Sequence, residues 1–277
     1  MTAPPGPPDA APDPAAADTT LDRLAAARAT GALHGRAGAL YLADGAVVHA
    51  ESPAVPDVGW RLTASGRLPA AAWDEAVEQG GPDYRAGALL VERGRLSRGE
   101  LELCHLSALF DAAYFILSPL DRDQPAPDRF LAHARHWFGP VRPVPVPLLQ
   151  REMRRRRQLL ERAWPRPEVD AAPVVPVPGT AACGPGQAGP TCGRRAVLDA
   201  ADGIRTPVQI ARALGRPAFT TLFDVRRLAA AGLVRTPETG AARGAGTPAR
   251  ARGTPPGAGA VPEISLLYRI RDALEAL

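Results

Sequence analysis

Lysine is missing altogether: all 33 basic residues of this 277-residue chain are arginine. That absence removes the chemistries that need an amine, namely the phosphate-contacting lysine of a P-loop, a Schiff base and a lysine general base. Cysteine is nearly missing too. Cys104, Cys183 and Cys192 make an odd count, too small for a disulfide framework, and point to a reducing cytoplasm. No stretch approaches the roughly 20 apolar residues of a membrane span. The first twenty residues, punctuated by Pro4, Pro5, Pro7, Pro8, Pro12 and Pro14, have neither the basic start nor the apolar centre of a signal peptide. The expectation is a cytoplasmic protein without membrane contact. A large charge surplus is also lacking. Net charge is +4, and the all-arginine usage resembles GC-rich coding bias, so the surplus argues for an acidic partner only where it is clustered.

What is abundant is proline, with 31 residues, and glycine, with 27, and both occur in clusters that divide the chain. Residues 1–19 read as a disordered leader, 20–120 as a small folded domain, and 121–163 as a proline-punctuated extension with an arginine-rich helix. Residues 164–190 read as a linker, 191–236 as a second folded module, 237–261 as disordered and 262–277 as an amphipathic helix. The expected fold class is α+β, a mixed α/β domain followed by a helical module. In the first domain Thr20 and Asp22 can cap a helix carrying Leu21, Leu24 and Ala25. Two apolar runs then flank Asp44-Gly45, a pair that tolerates the positive φ of a type I′ turn, so a hairpin is predicted there. Helical pattern follows over 70–79, and an apolar run over 86–91 stops at Arg93-Gly94. The broadest apolar face begins after Ser97, which reads as an N-cap with Glu100 at the N3 position. Residues 141–148 are predicted to be extended because of their alternate prolines. The helix after them interleaves Leu148, Leu149, Met153, Leu159 and Leu160 with Arg151, Arg154, Arg155, Arg156 and Arg157.

The run Gly38-Ala-Leu-Tyr-Leu-Ala-Asp-Gly-Ala-Val-Val-His-Ala50, preceded by Thr30-Gly31-Ala-Leu33, resembles the PATAN-like domain of bacterial signalling proteins over roughly residues 20–120. The resemblance implies a non-catalytic docking or sensory domain. In the second module Thr206 precedes Pro207 at a first helical position, Gly215 marks a stop, and Leu228-Ala-Ala-Ala-Gly-Leu-Val234 closes the pattern. This helix-turn-helix frame resembles winged-helix transcription regulators. That resemblance implies DNA contact through Arg216, Thr220, Arg226, Arg227 and Arg235, with Asp224 as a mark against it.

Other chemistry is thinly represented. Cys183 and Cys192 lie far apart for a zinc pair and near no histidine. Cys104 falls on an apolar face beside His105, which points about 100° away on a helix. His133 and His136 stand three apart with no carboxylate or third histidine at ligand spacing, so no metal site is assigned. His49, near Glu51 at the end of the second hairpin strand, reads first as a structural hydrogen-bonding residue and second as a pH-responsive one. Neither a Ser/His/Asp triad nor a Gly-rich nucleotide loop is present, so no enzyme and no cofactor are expected. Two functions stay open. One is a transcription regulator or signalling adaptor that binds DNA through the winged helix. The other is a protein-interaction scaffold in which that module, and the helix with Leu266, Leu267, Ile270, Leu274 and Leu277 on one face, serve protein contact or self-association.

Overall fold

The computed structural model describes residues 14–118, 129–178 and 191–236. The expectations for 237–261 and 262–277, for the start of the leader and for residues 179–190 lie outside the described residues. The described chain is mixed α/β around a five-stranded antiparallel sheet of order β4-β1-β2-β3-β5. Helix α1, Pro14–Ala26, starts six residues before the predicted Thr20 cap, so part of the stretch read as leader is helical. Strands β1 (Gly31–Gly35), β2 (Gly38–Ala43) and β3 (Ala46–Glu51) form a meander. The turn between β2 and β3 is the predicted one. Ala43 pairs with Ala46, and Asp44 and Gly45 have φ of 50° and 79°, both in the left-handed region a type I′ turn needs.

Helices α2 (Val58–Ala64), α3 (Ala70–Gly80) and α4 (Ala86–Glu92) lead into α5 (Arg98–Leu117), which carries the predicted Ser97/Glu100 capping box. The first half of α5 packs Leu101 and Ala108 against Val58, Leu62, Leu90 and Phe138. Its second half, from Leu109 on, covers Leu33, Leu40, Leu42 and Val47 of the sheet. Strand β4 (Arg129–Ala132) flanks β1, and β5 (Val144–Pro145) flanks β3. Helix α6, Val146–Ala163, begins inside the stretch predicted to be extended. Pro147 sits in its first turn, where the missing N–H would lack a partner anyway, so this proline is compatible with the helix.

The described part of the predicted linker is also structured. Residues 168–171 form α7 (Glu168–Ala171), β6 (Val175–Pro176) follows, and Val169 and Val174 are fully buried. Composition misses this because two valines and a tryptophan suffice when a neighbouring helical layer covers them. That layer is α8 (Cys192–Ala200), α9 (Pro207–Leu214) and α10 (Ala218–Ala230), closed by β7 (Val234–Arg235), which pairs with β6. Thr206 caps α9 with Gln209 completing a capping box, and Gly215 ends it at φ 65°. Ala211, Ala218 and Leu222 join the same apolar cluster as Leu109, Tyr114 and Leu149. The described residues therefore lie within one compact unit.

Candidate functional site

Two arrangements bring together groups that are distant in sequence. The first is a buried histidine cluster. Tyr41 pairs with His49 across β2 and β3, and the register then slips so that Val48 has no partner, a bulge that re-aims the side chains beside it. His49 Nδ1 lies 3.1 Å from His105 Nε2 on α5, and its ring stacks on His136 with centroids 3.6 Å apart and planes 13° from parallel. Glu51, two residues along the same face of β3, joins the cluster: its Oε1 lies 2.6 Å from His136 Nε2 and its Oε2 accepts a bond from the Tyr41 hydroxyl. Burial, added to by the neighbouring histidines, pushes His49 well below the usual imidazole range, and burial brings His105 down to about 4. Both rings are thus neutral at pH 7. His105 Nδ1 is buried against the Val48 carbonyl without reaching ordinary hydrogen-bond geometry.

Of these residues only the His49–Glu51 proximity is visible in the sequence. In the sequence His105 stands only as the neighbour of Cys104. His133 and His136, three apart in sequence, do not share a helix face: that stretch is irregular, His133 is exposed at φ 63° and only His136 turns inward. Sequence carries no signal for the cluster, because the burial of three of the chain's five histidines is decided by the fold.

Nitrogen or oxygen atoms of His49, Glu51 and His136 come within 4.8 Å of one another, close enough to ask whether they fit a metal ion. In this arrangement they do not. Parallel stacked rings direct their lone pairs side by side, whereas tetrahedral ligation needs them to converge. The Phe138 backbone N–H donates to His136 Nδ1, which leaves the ring proton on Nε2, facing Glu51. The cluster is a hydrogen-bonded network that joins sheet, α5 and the 133–139 loop.

The second arrangement centres on Asp111, a carboxylate only 1 % exposed. It accepts bonds from the backbone N–H groups of Ala218 at 2.8 Å and Phe219 at 3.1 Å, and pairs with Arg61 at 2.6 Å and Arg156 at 3.4 Å. Helix α10 has Pro217 at its N-cap and no side-chain cap of its own, so α5 supplies the acceptor its first turn needs. Arg156 also lies over the Phe219 ring at 4.5 Å, and Arg212 donates to the Pro53 carbonyl.

The residues proposed to contact DNA separate in two groups. Thr220, Arg227 and Arg235 are exposed, with Arg227 lying over Phe223. Arg216 is drawn inward, donating to the Gly193 carbonyl and to Asp224. Arg226, expected to contact DNA, is only 5 % exposed and forms a two-bond ion pair with Asp170, with a third bond to the Trp164 carbonyl. The sequence assigns Arg226 to DNA because its partner Asp170 lies on α7, in the stretch read as linker. Comparison with protein-family models, curated proteins and solved structures returns no match to this chain.

Proposed function

We propose that the protein is a non-enzymatic regulatory adaptor that works through protein contacts, with a PATAN-like α/β part docked against a winged-helix-like module. The observation that carries this reading is the Asp111 contact. A helix that reads DNA presents its N-terminal residues to base edges, and here the first turn of α10 is bonded to α5 while Phe219 and Leu222 lie in or against the shared core. Two of the five residues assigned to DNA, Arg216 and Arg226, are held in internal ion pairs. The competing reading, a transcription regulator that docks α10 on DNA, keeps the support of exposed Thr220, Arg227 and Arg235.

Enrichment of duplexes from a random pool separates the two. The adaptor reading expects no sequence to be enriched by the full chain. Enrichment of one motif, abolished by Arg227→Ala with Arg235→Ala, would establish the transcription-regulator reading instead.

A further inference from the structure

Helix α6 turns one face into the core through Val146, Leu149, Met153 and Leu160, which fixes the direction of the other. That other face carries Arg151, Arg154, Arg155 and Arg162, all exposed, over twelve residues or about 16 Å. Among the described residues Arg151, Arg154 and Arg162 have no ion pair. Arg155 bonds only to Glu152 on its own helix and remains 63 % exposed. Glu161 is the one exposed carboxylate beside them, so the face holds a clear positive excess. The chain's mild surplus is thus clustered, the condition under which it argues for an acidic partner.

We infer that this face of α6 is a binding surface for the phosphate backbone of nucleic acid, independent of base sequence. Magnitudes choose between polyanion and acidic protein. An exposed arginine–carboxylate pair is weakened by solvent and by the entropy of holding two long side chains together, so a row of them against a protein partner yields little. Against a polyanion each neutralised phosphate releases condensed counterions, and a dense row of charge is rewarded in proportion to its length. Arginine suits the task because its fork matches two phosphate oxygens. A membrane surface fits less well. An interfacial helix inserts an apolar face, and the apolar face of α6 is already buried, leaving Leu148 as its one exposed large apolar side chain.

The test is fluorescence anisotropy of the full chain with a labelled 20-bp duplex of arbitrary sequence across a salt series. The expected log–log slope is roughly −3 to −4, about −0.9 for each of four arginine–phosphate contacts. Changing Arg151, Arg154, Arg155 and Arg162 together to Gln should weaken binding at low salt at least ten-fold and bring the slope close to zero. Arg151→Gln with Arg155→Gln should remove about half of it, which serves if the fourfold variant fails to fold by circular dichroism. Arg227→Ala with Arg235→Ala should leave the slope in place. Three results would overturn the inference: no salt-sensitive duplex binding by the unmodified chain, a slope lost with Arg227 and Arg235 but kept without the α6 arginines, or binding to phosphatidylserine vesicles and not to the duplex.

Discussion

Arg226 shows how one residue changes meaning with its surroundings. Its guanidinium donates to both Asp170 oxygens and to a carbonyl, and neither partner of the pair is more than 6 % exposed. Removing one member of such a pair leaves the other charged and buried, so Arg226→Ala should cost about 3–5 kcal/mol, read as a lowered urea midpoint. A variant as stable as the original would mean that the arginine is free for another role. His105 gives a pH dependence with a definite sign. Folding lowers its pKa from 6.5 to about 4, so between those values the unfolded chain binds a proton that the folded chain does not. Its contribution is therefore complete above about pH 6.5 and falls as the pH drops towards 4, by roughly 3 kcal/mol in all. His105→Leu should be less stable at pH 7, and the deficit should shrink when urea midpoints are compared at pH 4.5. A constant deficit would exclude this titration as the source.

At the scale of the element, the β2–β3 turn and the start of α10 make opposite demands. The turn is local. Gly45 needs a positive φ, and a Cβ there would also stand 2.6 Å from the Ala25 carbonyl oxygen of α1, so even Gly45→Ala combines strain with a backbone collision. Gly45→Val should cost at least 2 kcal/mol, and an unchanged melting midpoint would count against both causes. The start of α10, by contrast, depends on a residue about a hundred positions away. Asp111→Ala should cost about 3–5 kcal/mol, because it strips the helix of its acceptor and leaves Arg61 and Arg156, 11 % and 13 % exposed, without their carboxylate. Asp111→Asn, which keeps an acceptor oxygen, should lose less in the same denaturation experiment.

At the scale of the whole molecule, the α/β part and the helical module share an apolar cluster, so they should unfold together. Hydrogen exchange tests this where the sequence expected linker. The Val174 amide bonds to the Arg205 carbonyl and Val177 to Leu233, and both should be protected to the same degree as the sheet. Rapid exchange at both would restore two independent domains. What the sequence determined by itself is what short-range chemistry controls: the Asp44-Gly45 turn, the Ser97/Glu100 and Thr206/Gln209 capping boxes, the Gly215 stop and the amphipathic helices. Each depends on residues no more than a few positions apart, within reach of φ preference and local hydrogen bonding. Tertiary structure alone decided that residues 164–178 are ordered, that Arg226 is internal, that Asp111 closes α10 and that His49, His105 and His136 meet. These contacts join residues 56 to 108 positions apart, and burial supplies their strength. A polar side chain's partner, unlike its local conformation, is fixed only once the apolar core has chosen which surfaces close on one another.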